Sequence, residues 1–436
     1  MYTLRILIKN IDEIHSSGTK VRQEQFILIE DNKIKRIDKM TKIDEISDYD
    51  RIIDADGMIA LPGFINTHTH AAMTLMRAYA DDMPLDQWLQ NKIWPFESKI
   101  KPDDIYWGTA LAVVEMIKTG TTTFSDMYFA VDKIAEIVDQ SGMRAVLSEG
   151  LIEANDGQEG LKKSLNYALK YNNSAEGRIK TMMAPHAPYT CGRDYLLQIK
   201  KLARENNLGL HIHLSESKNE VNNFLQQYQK SPIKYLADLD FFDDNHILAA
   251  HCVHLEAGDL EILKEKNVHV AHNPMSNAKL ANGIAPVREY LKNGINVALG
   301  TDGVSSNNSL AMLKEAKMAS YLQKIKYQDP TAVDTKSMLK ILTVNGAEAL
   351  GIKKLGLLEE NQLADLLLID TKKDSFFYPH HNNLSNLFYA ADSRSIDTVI
   401  IDGKVIMESS ELKRLDQEKI FYEAEKRALK IAANFN

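Results

Sequence analysis

Two histidines stand two residues apart, His68 and His70, just after the apolar run Leu61-Pro62-Gly63-Phe64-Ile65. The run reads as a strand, and side chains at i and i+2 of a strand point to the same side. Two imidazoles on one side of a strand end supply half of a site for a first-row metal ion. The other half has to come from elsewhere in the chain. Taken alone, His-Thr-His is as readily a polar loop as a pair of ligands.

The rest of the chain repeats the pattern. Apolar runs finish in Ala184-Pro185-His186, His211-Ile212-His213-Leu214-Ser215-Glu216, Ala250-His251-Cys252, Ala271-His272-Asn273 and Gly300-Thr301-Asp302-Gly303. One histidine at a strand end is usually structural, but recurrence over so many strands is hard to attribute to packing. A catalytic zinc takes His and Asp ligands and keeps one position open for water. His68, His70, His213 and Asp302 meet that need. Glu216, three residues past His213, is placed to reach metal-bound water without ligating, where a general acid/base belongs. His251 is left to hydrogen-bond and polarise the water. His211 shares a strand face with His213, and whether it ligates stays open. His272 is expected behind the ligands, orienting Asp302 or the substrate.

Such residues need a scaffold that delivers strand ends to one place. Strands are expected to end near Asn66, Asp126, Glu149, Ala184, Leu214, Ala250, Ala271 and Gly300. Helices are expected over 102–118, 131–140 and 285–293, each followed by a glycine suited to a left-handed cap. The eight βα units predict an α/β fold, a (β/α)8 TIM-type barrel over residues 58–350 with its chemistry at the C-terminal strand ends. Residues 1–57 carry short β-runs and no helix of normal length. After further helices over 309–323 and 336–350, residues 351–436 return to β-runs and close with an amphipathic helix over 416–433. Neither terminal piece has the apolar surface for its own core, so both are expected to build one small β-sandwich beside the barrel.

Composition narrows the partners. The 52 Lys and Arg against 60 Asp and Glu give a net charge of −8, with no basic block. Nucleic acid and anionic membranes are therefore not expected to bind, whereas a small neutral or cationic ligand is. No apolar run approaches the ~20 residues of a membrane span, and the first residues lack the order of a signal peptide. The two cysteines, Cys191 and Cys252, exclude a disulfide scaffold and favour a reducing compartment. A cytoplasmic protein is expected, with homo-oligomerisation left open.

The stretches Pro62 to His70, His211 to Glu216, His251 to His254, His272 to Asn277 and Gly300 to Asn308 together resemble the amidohydrolase superfamily. Within it they resemble the 5-methylthioadenosine/S-adenosylhomocysteine deaminases and their adenosine-type relatives, over nearly the whole chain. The resemblance implies metal-dependent hydrolytic deamination of an adenine nucleoside to its inosine analogue and ammonia. The nucleoside would be 5′-methylthioadenosine, S-adenosylhomocysteine, adenosine or 5′-deoxyadenosine. It implies one divalent ion on His68, His70, His213 and Asp302, with zinc expected first and iron or manganese sharing these ligand types. It implies Glu216 as proton shuttle to the purine, with His251 and Asp302 stabilising the attacking oxygen. Glu97 and His186 match positions that contact substrate, Glu97 as an acceptor for ribose hydroxyls. Without the resemblance Glu97 reads as a solvated loop acid.

One departure bears on specificity. Where members that take the homocysteine conjugate carry arginines after the third strand, this chain has Glu149, Glu153, Asp156 and Glu159. An acidic rim at the 5′ end of the nucleoside is expected to disfavour a free carboxylate. Two rivals stand beside this reading. One is a hydrolase of the same superfamily acting on guanine, a pterin or a triazine; the other is a non-catalytic binding or assembly protein on the same fold.

Overall fold

The structure is a computed structural model that describes residues 4–17 and 20–435. The barrel strands are Phe64–His70, Thr121–Tyr128, Arg144–Leu151, Ile179–Pro185, Gly209–Leu214, Ile247–His251 and His269–His272, with an eighth in two pieces, Val297–Leu299 and Asp302–Gly303. Each pairs in parallel with its neighbour in the chain, and the last piece returns to the first strand, Asp302 opposite Thr69 and Gly303 opposite His70. Across this seam Thr301 N donates to His68 O at 3.1 Å. The break in the eighth strand falls at Gly300, where a Cβ would stand 2.9 Å from the His68 nitrogen. Glycine lets the seam close and brings Asp302 beside the His68–His70 pair.

Local irregularities aim the functional side chains. The first strand carries one extra residue between Asn66 and Thr69, opposite Phe124 to Asp126. This bulge reverses the in-out alternation. Ile65 packs inward with Val146, Met182, Leu248 and Ala298, and above it His68 and His70 also face the interior. In the sixth strand Leu248 and Ala250 face inward, so plain alternation would send His251 outward. Its φ of 74°, followed by 44° at Cys252, turns it back. The outward side chains Phe64, Phe124, Leu147 and Ile212 pack with Ile134 and Leu196 of the surrounding helices. Helix Val131–Ser141 ends as its sequence predicts, at Gly142 with φ 82°.

Both termini contribute to a second, nine-stranded sheet. It closes on its own core of Ile8, Ile27, Ile29, Leu366, Leu368 and Ile400, which fits a small sandwich. Met58–Pro62 belongs to this sheet, pairing antiparallel with Leu366–Asp370. The barrel sheet takes its first strand from Phe64 onward. Apolar runs on both sides of Gly63 read as one strand in sequence but serve two sheets. Arg144 ties barrel to sandwich, its buried guanidinium donating to Asp365 at 3.0 and 3.1 Å and to Asp402 at 3.1 Å. The last helix, Gln417–Ala432, leaves the sandwich and packs on barrel helix Pro102–Lys118, where Arg427 Nη1 meets Asp104 Oδ1 at 2.9 Å. The helix expected over 336–350 is two, Thr335–Leu342 and Val344–Ala349, broken at Thr343. Among the described residues no helix is long and apolar enough to cross a membrane.

Candidate active site

His68, His213, His251 and Asp302, from the first, fifth, sixth and eighth strands, offer ligand atoms all within 4.8 Å of one another. His70 joins them, its Nε2 3.2 Å from Asp302 Oδ1 and 3.3 Å from His213 Nε2. The structure thus gathers the four expected ligands and places His251 in the same cluster. Backbone carbonyls set the tautomers. His70 Nδ1 donates to Met127 O at 2.6 Å and His213 Nδ1 to His186 O at 2.7 Å. A carbonyl only accepts, so each Nδ1 carries hydrogen and each Nε2 is turned to the cluster. His251 Nδ1 lies 2.9 Å from Asn277 Oδ1.

His211 sits behind His68, its Nε2 2.9 Å from His68 Nδ1. His68 Nε2 is buried with no hydrogen-bond partner, 3.5 Å from Asp302 Oδ1. An orphaned imidazole nitrogen facing a carboxylate is satisfied by a metal ion, and this donor chemistry suits zinc, iron or manganese. His272 makes no hydrogen bond to Asp302; both its ring nitrogens are buried without a partner. Asp302 Oδ2 instead accepts from Ser276 Oγ at 2.6 Å and Ser306 Oγ at 3.1 Å. Two serines take the first of the two tasks expected of His272, the orientation of Asp302.

Burial sorts the charges. It lowers His68 to about 4, His186 to about 3, and His213 well below the ordinary imidazole value. Burial also opposes charge on His70, but the Asp302 carboxylate outweighs it and raises His70 to about 9. Asp302, despite its burial, is held well below the usual range by the His68 and His70 imidazoles beside it. Glu216 is raised by burial, with His251 opposing. Its Oε1 accepts from Asn282 Nδ2 at 2.9 Å and its Oε2 lies 3.7 Å from His251 Nε2. The turn that aims Glu216 has Ser215 at φ 50°. Glu220 holds that turn, its carboxylate accepting from Ser215 N at 3.0 Å and Glu216 N at 2.8 Å.

These groups open into a cleft of about 890 Å³, counting its mouth. One wall carries Trp88, Leu89, Ile93 and Trp94 on a continuous helical segment whose middle, Leu89–Ile93, is a π-helical turn. Pro95 has no N–H to donate back to Asn91, which favours the wider turn just before it. The segment ends at Glu97, which is no solvated acid: Tyr128 OH donates to its Oε1 at 2.7 Å, and burial raises its pKa. His186 lines the same cleft, and none of the described residues that line it is Lys or Arg.

No acidic rim forms at the cleft. Glu149 lies on the outer face of the third strand, paired with Lys163 at 2.7 Å, while its neighbour Gly150 faces the cleft. Glu153 accepts from Gly192 N and Asp156 from Ile152 N, each at 2.6 Å. Neither these acids nor the exposed Glu159 lines the cleft. Strand alternation, which no inspection of charge alone reveals, decides this.

Residues 59–406 match the model of the amidohydrolase family. The chain belongs to the amidohydrolase family. It is 49% identical over 425 residues to the 5-methylthioadenosine/S-adenosylhomocysteine deaminase of Halothermothrix orenii, covering 97% of this chain and 98% of that one. With the deaminase of the same name from Pelotomaculum thermopropionicum it shares 50% over 373 residues, 85% of this chain and 86% of that one. Among solved structures it is similar to an adenosine deaminase from Xanthomonas campestris with bound zinc, with a TM-score of 0.94 and 31% identity over 99% of each chain. In this amidohydrolase, sequence reasoning overlooked Tyr128, Ser276, Asn282, Ser306 and Glu220. The serines lay inside conspicuous motifs, where hydroxyls near Asp302 were a usable signal. Tyr128 offered none, since its link to Glu97 crosses from one βα unit to another segment.

Proposed function

We propose that this amidohydrolase deaminates adenine nucleosides hydrolytically, using one divalent metal ion, zinc first, held by His68, His70, His213 and Asp302. The observation that carries the reading is a buried carboxylate, Glu216, and a half-buried one, Glu97, in one cleft with a cluster of histidines and Asp302. The deaminases named above support the substrate class. A divalent ion bound there supplies Lewis acidity and makes water nucleophilic at neutral pH. Glu216 takes a proton from the water that attacks C6 of the purine and delivers it to the ring nitrogen. The second water proton passes through Glu216 to the amine as the C6–N bond breaks, leaving the inosine analogue and ammonia. Burial raises Glu216 toward the range where a carboxylate both takes and gives a proton. Asp302 and His251 stand beside the attacking oxygen and stabilise it in line. Glu97 takes the ribose hydroxyls, and His186 touches the substrate from the facing wall.

The absence of Lys and Arg among the described residues of the cleft lining favours a small neutral group at the 5′ position, as in adenosine, 5′-deoxyadenosine or 5′-methylthioadenosine. The carboxylate of S-adenosylhomocysteine finds no cationic partner there. Ammonia release across these nucleosides, with guanine beside them, tests the reading. Turnover of guanine but not of any adenine nucleoside overturns the substrate class. Metal-loaded protein that releases no ammonia from any of them overturns the nucleoside deaminase reading.

A further inference from the structure

Tyr128 closes the second barrel strand, and Glu97 closes the helical segment that walls the cleft. Both line the cleft, and the phenol donates to Glu97 Oε1 at 2.7 Å. The Tyr128 ring is held in place: it is buried and stacked on Phe129, with centroids 4.3 Å apart and planes 23° from parallel. Burial and the adjacent carboxylate raise the phenol well above its ordinary value, so it keeps its hydrogen and donates it to Glu97. A carboxylate offers roughly four lone-pair sites on two oxygens. With Oε1 pinned by a fixed donor, the plane of the Glu97 carboxylate is set and Oε2 is the atom a ligand hydroxyl meets. A free carboxylate in so apolar a wall would rotate, or take a proton and lose its acceptor character.

We propose that Tyr128 is a positioning residue that determines sugar specificity, holding Glu97 as a fixed acceptor for the vicinal hydroxyls of ribose. The inference rests on the nucleoside reading above and adds to it the residue through which selection for those hydroxyls is enforced. A phenol that merely filled space would support every substrate alike. A phenol that sets the carboxylate matters only to substrates that have hydroxyls to offer.

The test is the ratio of kcat/KM for adenosine to that for 2′,3′-dideoxyadenosine in the wild type, Tyr128→Phe, Glu97→Ala and the double variant, with bound metal measured in each. Losing one hydrogen bond to a charged acceptor is expected to cut the ratio in Tyr128→Phe about ten- to hundredfold, mostly through KM for adenosine. In the Glu97→Ala background the same change is expected to alter the ratio by less than about twofold, because the two groups act as a unit. If Tyr128→Phe lowers both substrates equally and preserves the ratio, Tyr128 only packs and the proposal is wrong. If Glu97→Ala itself preserves the ratio, Glu97 does not hold the sugar and the proposal fails with its premise. Deamination of adenosine by the wild type then still decides the broader reading.

Discussion

His211 Nε2 and His68 Nδ1 meet 2.9 Å apart at the floor of the site, with the two ring planes 80° from parallel. Burial holds His211 well below the ordinary imidazole value, so it is neutral and shares one hydrogen with His68. That contact fixes the orientation of His68 and turns its bare Nε2 to the cluster. Groups that orient a metal ligand in this way typically contribute about 10- to 100-fold to metal affinity. His211→Ala is expected to weaken metal binding by that factor, read by competition with a chelator. Unchanged affinity would show that His68 is aimed by its strand alone.

Purified protein is expected to carry about one divalent ion per chain, as the single such cluster among the described residues allows. His68→Ala and Asp302→Asn should lose the ion and the activity together. His70 and His251 separate by experiment: His70→Ala should lose the ion, whereas His251→Ala should keep it and lose rate. The reverse pattern, read by metal analysis, would exchange their roles.

Glu216→Gln should retain the ion yet lose about two to four orders of magnitude in kcat. The hydrogen bond from Asn282 counters the rise that burial imposes on Glu216. Since the base works ionised, Asn282→Ala should raise the Glu216 pKa further and move the acid limb of kcat/KM to higher pH. A limb that stays in place or moves down would mean another group titrates there.

Glu315 is fully buried, accepting from Asn307 Nδ2 at 2.5 Å and Met275 N at 3.1 Å, and burial raises it to about 8. A carboxyl whose folded pKa exceeds its unfolded one binds its proton more tightly when folded. Its stabilisation is full below the unfolded value of 4.5 and is lost as pH rises toward about 8. Glu220, raised to about 7, acts in the same direction. The buried histidines held low act in the opposite direction, so Glu315 is read as a difference: the urea stability of wild type relative to Glu315→Gln should fall by on the order of 1 kcal/mol or more from about pH 5 to pH 8. An equal slope in the variant would remove Glu315 from the account.

Wild type should prefer adenosine or 5′-methylthioadenosine over S-adenosylhomocysteine by about tenfold in kcat/KM, the scale of one lost charge-assisted contact. Glu149→Arg should leave that ratio within about twofold, because Glu149 points away from the cleft toward Lys163. Equal or better turnover of the conjugate would mean its carboxylate is bound by a group outside the described lining.

The chemistry was legible in the sequence because the period of a strand is local. His211 and His213 share a face through spacing alone, and recurrent strand-end histidines disclose the end of the barrel that works. The helix ending at Gly142 was legible for the same reason, its cap depending on a single glycine. What the tertiary structure decided are relations set by register and backbone irregularity. The bulge between Asn66 and Thr69 and the left-handed backbone at His251 aim residues that simple alternation would send elsewhere. The seam at Gly300 brings Asp302 to the His68–His70 pair, and only there do Ser276 and Ser306, from separate short helices, meet its carboxylate. Glu149 faces outward and Glu97 meets Tyr128 for a related reason. The orientation of a charged side chain, and its partner across the chain, follow from how strands and helices stack in space, which residue identity does not carry.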